Sequence, residues 1–409
     1  MSKLSMLFVT QLHFNKDGNG GQQRTYYLIK GLSEHFNLHV LSPYTNADKI
    51  DITANFILNK SVSFKKISRA NNVTRLLHKI LNLLLKREEV TKPIHQSNFT
   101  TYILKKQLNT IKAKYANQHI DTIVFDTLSM AVKINPELFK NRILNAHNFD
   151  SELVQTNLDN KINDPKISAI EIEKTKIHLA NYERYEHHVD QYFTEVWVCS
   201  DKDAKKFKEV NPQTKLNFYV LPNGSDTSNR QFQTINNDYH KMLFVGSLNY
   251  FPNYNGLRWF VEHVFKYLPD NYHLNIVGKS PNTYDFSFLE PYPNINLIGE
   301  VDTVAPHYKN HDVFVVPLLE GSGTRLKILE AMSYGKLVLS TAKGIEGINA
   351  LHDVHYLEFN SLKDFKSLFN IFEDDTKLLD IRKNGRQLIE EHYSWKSIVH
   401  NYVKQKNGK

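Results

Sequence analysis

Short runs of apolar residues, each bounded by glycine, proline or asparagine, recur along the 409-residue chain. Such runs are typical of parallel strands that are buried on both faces of a sheet. The first run, residues 4–10, is followed by the polar loop HFNKDGNGG and then by a stretch with apolar residues at helical spacing, before a second apolar run. This strand–loop–helix–strand order predicts a doubly wound α/β fold, in which ligands bind at the carboxyl ends of the strands.

The apolar runs fall into two groups, separated by the turn Pro222-Asn223-Gly224. Further strands are predicted in the first group at 121–125, 142–146 and 195–200, with a long polar helix between 163 and 193. In the second group they are predicted at 241–248, 273–278, 295–300, 313–317 and 337–341. The sequence therefore predicts two facing doubly wound domains with a cleft between them, residues 1–220 and 221–385. A C-terminal helix at about 386–409 is expected to pack back onto the first domain.

Composition excludes several classes of protein. Hydrophobic residues make up 41% of the chain and charged residues 23%, which is typical of a globular protein. No run of eighteen apolar residues predicts a transmembrane helix, and the first residues lack the cleavage site of a signal peptide. The single cysteine, Cys199, has no partner for an internal disulfide. These features predict a cytoplasmic protein.

The net charge of +8 is unevenly distributed. Thirteen Lys or Arg and only two Glu lie between Asn59 and Tyr115. A local positive field favours a polyanionic partner, and the stretch Val73–Arg87 combines apolar and basic residues as a helix on an anionic membrane surface would. A solvated basic face and a core helix are the alternatives. No nucleic-acid-binding motif is present, so a nucleic-acid partner is not expected.

The stretch from Val315 to Gly347 reads VVPLLEGSGTRLKILEAMSYGKLVLSTAKGIEG. It predicts a buried strand, a loop containing Gly321 and Gly323, and a helix that begins near Thr324. Glycine lets a ligand approach the backbone closely, and a helix N-terminus presents amides that have no partner within the helix. This stretch therefore predicts an anion site at the start of the helix.

Three charged side chains refine this prediction. Arg325 and Lys327 add positive charge to the first turn of the predicted helix. Because cations at a helix N-terminus are unfavourable unless an anion lies there, the loop, the helix dipole and the two cations together suit a diphosphate. Glu330 is within reach of the same ligand, and its carboxylate can accept hydrogen bonds from two vicinal ribose hydroxyls.

The run GSGTRLKILEAMSYG followed by GIEG resembles the donor-binding segment of family-4 glycosyltransferases, which have the GT-B fold of two Rossmann-like domains. The segments LFVGSLNYFPN, VWVCSDKD, VLPNGSD and HNFDSE resemble other parts of that family in the same order, so the likeness extends over most of the chain. The resemblance implies transfer of a sugar with retention of configuration, from a nucleotide-sugar such as a UDP-sugar to a surface-glycan or lipid-linked acceptor. It implies no metal and no other cofactor.

The resemblance also implies roles for individual residues. Glu330 would bind the ribose, and Arg325 and Lys327 would face the donor phosphates. His147 would lie near the sugar, with Asn148 beside it on the acceptor side. The loop residues Gly20 and Gly21 would approach the donor sugar or phosphate. The remaining donor-binding residues would be Gly246, Ser247, Gly321, Ser322, Gly323 and Thr324.

The sequence departs from the family pattern in two places. Many members carry two glutamates separated by seven residues. Counting back from Glu330 by this spacing places Ser322 at the position of the first glutamate, whereas nine residues separate Glu320 from Glu330. Either Glu320 reaches the sugar from a longer loop, as a catalytic residue together with His147, or backbone amides at Ser322 and Gly323 replace it. The usual basic pair after the first strand of the second domain is also absent, and Arg258 is the only cation there.

Two other functions share these features. A nucleotide-sugar epimerase has the same two-domain architecture, and a non-catalytic nucleotide-binding scaffold would be compatible with the altered glutamate spacing.

His147 could also be a histidine of the core. Tyr182, Tyr185 and Trp197 are expected to be core residues.

Overall fold

The computed structural model describes residues 3–10, 14–16, 18, 20–42, 56–60, 120, 122–131, 139–163, 167–228, 230–232, 239–280, 284–321 and 325–408. Apart from its first two residues, the basic segment 59–115 lies outside the described residues. The chain divides into two compact units. The first unit comprises Met1–Pro222 together with Val399–Lys409, and the second comprises Asn223–Ile398.

The first unit contains a parallel sheet, which confirms the predicted doubly wound α/β class. Its described strands lie in the order β3-β2-β1-β4-β5-β6-β7. The strand order reverses between β1 and β4, which is the topological switch point where ligands bind in such folds. The strands are β1 (Ser5–Val9), β2 (Asn37–Ser42), β3 (Phe56–Lys60), β4 (Thr122–Asp126), β5 (Asn141–Asn145), β6 (Glu195–Val198) and β7 (Asn217–Val220).

One helix predicted in the first unit differs from the structure. The single helix expected between 163 and 193 is wrong, because Ser168 caps a new helix by accepting a hydrogen bond from the Glu171 amide, and the backbone turns again at His187 and His188. The described helices are α1 (Gly20–His35), α2 (Leu128–Ala131), α3 (Asp150–Ile162), α4 (Ala169–Glu186), α5 (Val189–Tyr192) and α6 (Asp201–Val210).

The second unit contains another parallel sheet, with its described strands in the order β10-β9-β8-β11-β12-β13. The switch point lies between β8 and β11. The strands are β8 (Lys241–Val245), β9 (His273–Val277), β10 (Ile295–Gly299), β11 (Val313–Val316), β12 (Leu337–Ser340) and β13 (Leu357–Glu358). The helices are α7 (Phe251–His263), α8 (Ala305–Asn310), α9 (Leu326–Ser333), α10 (Ala342–Ile345), α11 (Leu362–Ser367), α12 (Phe369–Phe372) and α13 (Asp375–Leu388). Two 3₁₀ turns (Phe265–Tyr267 and Ser287–Leu289) and a π-helical turn (Ile389–Tyr393) complete this unit.

The last helix, α14 (Trp395–Asn407), contributes its residues from Val399 onwards to the first unit. Glu195 of β6 accepts hydrogen bonds from the Tyr402 hydroxyl and the Lys406 ammonium, both at 2.8 Å. The Tyr402 ring packs edge-on against Trp197, with the ring centroids 4.9 Å apart. A buried carboxylate and an aromatic pair therefore fix α14 to the sheet of the first unit.

The apolar core of each unit lies between its sheet and the flanking helices. Trp197 is completely buried, as expected for a core residue, whereas Tyr182 and Tyr185 are partly buried and pack against the core cluster of the first unit. Within the described parts of the chain, no helix combines the length and the apolar character needed to cross a membrane.

Candidate functional site

In the second unit, most of the predicted donor-site residues follow β8 and β11, the two strands at the switch point. Gly246 and Ser247 come directly after β8, whereas Glu320 and Gly321 follow β11. The helix predicted to start near Thr324 begins at Leu326, because Arg325 at its N-cap has a non-helical backbone with φ −80° and ψ 85°. Ser322, Gly323 and Thr324 lie outside the described residues.

Lys327 lies in the first turn of α9. Its ammonium donates a hydrogen bond of 2.7 Å to Asn253 Oδ1 and lies 4.9 Å from the centroid of the Phe244 ring. Burial, with the nearby charge of Arg325, lowers the pKa of Lys327 to about 7. Among the residues that the structure describes, no carboxylate forms an ion pair with Lys327. A partly buried cation without a counter-charge suits an anionic ligand.

Asn253 connects Lys327 to the loop after β8. Its side-chain amide donates a hydrogen bond of 2.8 Å to the carbonyl oxygen of Ser247. A Cβ at Gly246 would lie 2.8 Å from Asn253 Nδ2 and 3.0 Å from Lys327 Nζ, so a larger residue here would displace these two groups. Sequence analysis missed Asn253, because its helix carries several other polar residues and the contact with Lys327 depends on the tertiary fold.

Arg325 lies beside the loop after β11. Its side chain is buried and donates a hydrogen bond of 3.4 Å to the carbonyl oxygen of Glu320. Burial lowers the pKa of Arg325, an effect that Tyr250 and Glu346 partly offset. Gly321 has φ +99°, which favours glycine, and a Cβ there would lie 3.2 Å from Arg325 Nη2. The two cations thus lie beside Gly246 and Gly321, where a side chain would contact their charged groups.

The two glutamates of the predicted donor site have different partners. Glu320 is exposed, and its Oε1 accepts a hydrogen bond of 2.8 Å from Asn255 Nδ2. Glu330 Oε1 accepts a hydrogen bond of 2.9 Å from Arg230 Nη2. Sequence analysis identified neither Asn255 nor Arg230, because their contacts depend on the tertiary fold.

In the first unit, His147 lies just beyond the end of β5. Its Nε2 is 2.7 Å from Oδ1 of Asp126, the last residue of β4. Asp126 is completely buried and also accepts hydrogen bonds from the hydroxyls of Thr10 and Thr25, at 2.5 and 2.7 Å, and from Asn145 Nδ2 at 2.8 Å. This network lies at the carboxyl ends of β1, β4 and β5, which include the switch point.

The network determines the ionisation of Asp126 and the orientation of His147. Burial alone would raise the pKa of Asp126, but the charge and hydrogen bond of His147 and the hydroxyls of Thr10 and Thr25 lower it by more. The pKa of this carboxyl therefore lies below its ordinary value. Because Nε2 of His147 faces an ionised carboxylate, a substrate contact would use Nδ1.

The other residues predicted for the first unit lie near these elements. Gly20 and Gly21 are the first two residues of α1, so they belong to the first turn of the helix and not to the preceding loop as predicted. Asn148 is exposed next to His147. Within the described residues, no group of three or more His, Cys, Asp or Glu side chains could hold a metal ion.

Comparison with known sequences supports this interpretation of the second unit. Residues 239–358 match the family model described as glycosyl transferases group 1. The chain is 29% identical over 176 residues to an uncharacterized 44.6 kDa protein in the cps region of Klebsiella pneumoniae. That match covers 40% of this chain and 45% of the relative, so the chain spans less than half the length of that protein.

Comparison with solved structures extends to the whole chain. A glycosyltransferase from Rickettsia africae ESF-5 matches with a TM-score of 0.65 and 12% identity, covering 100% of this chain and 99% of that one. Anabaena Alr3699/HepE in complex with UDP-glucose matches with a TM-score of 0.59 and 13% identity, covering 99% of this chain and 100% of that one. At these identities the comparisons show the fold, two Rossmann-like units of the GT-B type.

Proposed function

We propose that this chain, a family-4-like member of the GT-B glycosyltransferases, transfers a sugar with retention from a UDP-sugar to a surface-glycan or lipid-linked acceptor. The observation that carries the proposal is the environment of Lys327. Its ammonium is partly buried beside a second cation, Arg325, and its described contacts are an amide oxygen and an aromatic ring. The diphosphate of a nucleotide-sugar would supply the missing negative charge.

The proposed chemistry gives each part of the site a role. When the bond from sugar to diphosphate breaks, negative charge develops on the leaving nucleoside diphosphate, and Arg325 and Lys327 would offset it. Glu330 would accept hydrogen bonds from the ribose hydroxyls. Glu320 would contact the sugar, and His147 would act near the transferred sugar. The proposal requires no metal ion.

The choice of donor and acceptor is supported by relatives. Anabaena Alr3699/HepE was solved with UDP-glucose, and for this reason we propose a UDP-sugar as the donor of this chain. The relative from Klebsiella pneumoniae lies in a cps region, in agreement with a surface-glycan acceptor. We place the protein in the cytoplasm and propose that segment 59–115 attaches it to the inner face of the membrane. Flotation with anionic vesicles at low salt tests this attachment, and absence of the protein from the floating fraction would exclude it.

The donor site is tested by thermal shift with UDP, GDP, ADP and CMP and their common sugar conjugates, without metal. We expect a selective rise in melting temperature with one nucleoside diphosphate, and UDP is the expected one. The variant Lys327→Met should lose about 1.5–3 kcal/mol of binding free energy, the range for a hydrogen bond to a charged group. Lys266→Met is the matched control, because Lys266 also lies over an aromatic ring but is exposed. No rise with any compound would contradict the proposal.

A further inference from the structure

Arg230 lies close to the start of the second unit. It contacts the carboxylate of Glu330, which would bind the donor ribose according to the proposed function. Its Nη2 donates a hydrogen bond of 2.9 Å to Glu330 Oε1. Both side chains are largely shielded from water, with exposed fractions of 17% for Arg230 and 28% for Glu330. This is more than an exposed surface ion pair, because partial burial strengthens the interaction between the charges.

Arg230 is itself held in place by neighbours within the second unit. Its Nη1 donates hydrogen bonds to the hydroxyls of Ser225 and Ser333, the latter at 2.6 Å. Its guanidinium lies 4.9 Å from the centroid of the Tyr334 ring. Its carbonyl oxygen accepts a hydrogen bond of 2.7 Å from Arg386 Nη1. These contacts hold the guanidinium of Arg230 in one place. Because the N–H donors of a guanidinium have a fixed planar geometry, Arg230 can determine where the Glu330 carboxylate lies.

We propose that Arg230 is a positioning residue, which orients Glu330 to accept both vicinal hydroxyls of the donor ribose. The inference rests on the proposed function. A carboxylate has about four acceptor positions, so a hydrogen bond from Arg230 to Oε1 is compatible with two more from a ribose.

The proposal and a competing role for the same contact predict opposite changes in nucleotide affinity when Arg230 is removed. If Arg230 occupied Glu330 at the expense of the nucleotide, its removal would tighten nucleotide binding. If Arg230 positions Glu330, its removal weakens binding, but only for ligands that present both ribose hydroxyls. A purely structural role would weaken binding of all nucleotides alike.

The experiment measures, by calorimetry, the dissociation constants of UDP, GDP and ADP and of their 2′-deoxy counterparts for the native chain and four variants. With Arg230→Met, the affinity for the ribonucleotide should fall about tenfold, whereas that for the 2′-deoxynucleotide should stay within about twofold. Arg230→Lys should restore part of the discrimination. Arg258→Met is the matched control, because Arg258 forms an exposed ion pair with Glu262 at the same distance of 2.9 Å, and it should leave both constants unchanged.

The variant Glu330→Gln separates failure of the inference from failure of the proposed function. If the native chain binds none of these nucleotides, or if Glu330→Gln keeps full discrimination, the ribose role fails and the inference fails with it. If Glu330→Gln loses discrimination but Arg230→Met keeps it, or weakens both nucleotides equally, or tightens binding, only the inference is overturned.

Discussion

Asn253 accepts a hydrogen bond of 2.7 Å from the ammonium of Lys327 and donates one of 2.8 Å to the carbonyl oxygen of Ser247. The second bond fixes which end of the Asn253 amide faces the lysine. Lys327 therefore has a neutral partner of defined orientation, and with its pKa of about 7 it would gain a proton if the proposed diphosphate bound beside it.

Nucleotide binding should be accompanied by proton uptake. Free Lys327 is largely neutral at pH 8, and an adjacent diphosphate would raise its pKa, so UDP binding at pH 8 should take up about one proton. Affinity should accordingly decrease as the pH rises from 7 to 9. Calorimetry in buffers of different ionisation enthalpy measures the uptake. In Lys327→Arg, which stays protonated, the uptake should disappear, and its persistence would assign the proton to another group.

Replacing the neutral partner by a charged one should impair the donor site. Asn253→Asp would place a carboxylate against Lys327, raising the pKa of the lysine and repelling the diphosphate. We expect UDP to bind about tenfold more weakly or worse, a cost of at least about 1.4 kcal/mol. Asn249→Asp is the control, since Asn249 lies in the loop just before this helix but is exposed. Equal losses in the two variants would point to general electrostatics and not to Lys327.

The contact between His147 and Asp126 should be visible in acid stability. The folded pKa of Asp126 is depressed, so its contribution is complete above its unfolded value, near 3.8, and is lost as the pH falls through the lower folded value. His147→Gln removes a charge that lowers this pKa, so unfolding should begin at a higher pH, with about 1 kcal/mol less stability near pH 4. Circular dichroism from pH 2 to 6 tests this, with the exposed His187→Gln as control. Matching curves for the two variants would exclude the effect.

Glu186 should destabilise the first unit at neutral pH. It accepts a hydrogen bond of 2.7 Å from the Asp150 amide at the start of α3, and burial raises its pKa from 4.5 to about 7. Because the folded state binds the proton more tightly, stability should fall as the pH rises from about 4.5 to 7. Glu186→Gln should be more stable than the native chain by about 1–3 kcal/mol at pH 8 but not at pH 4. Denaturant unfolding at both pH values measures this, and the exposed Glu183→Gln should show no such difference. A native chain whose stability rises over this range would contradict the assignment.

The fold could be predicted from the sequence wherever a strand is buried on both faces. Strands such as β1, β8 and β11 are continuous apolar runs, and the structure places them within a few residues of the predicted limits. The three strands that sequence analysis missed, β3, β7 and β13, all lie at sheet edges. A strand at a sheet edge is covered less completely than a central one, so its sequence is less uniformly apolar. β13 is also only two residues long, which is too short for any recognisable pattern.

Apart from residues such as Gly246 and Ser247, which the family resemblance supplied, the site could be predicted only where its residues are neighbours in sequence. Arg325, Lys327 and Glu330 share one helical segment, so their spacing identified them. Their partners come from far away in the chain: Asn253 is 74 residues from Lys327, and Arg230 is 100 residues from Glu330. No periodicity or propensity relates such distant positions, since only the folding of the sheet brings them together.

The second unit begins and ends at one place. The amide of Ser225 donates a hydrogen bond of 2.8 Å to the carbonyl oxygen of Tyr393, and Ser225 forms a parallel bridge with Ser394. The segments by which the chain enters and leaves the second unit therefore lie side by side. The residues before and after this unit, Met1–Pro222 and Val399–Lys409, both belong to the first unit. In evolutionary terms the second unit has the topology of an inserted cassette. Recombination at these two adjacent crossings would exchange the whole second unit while leaving the sheet of the first unit intact.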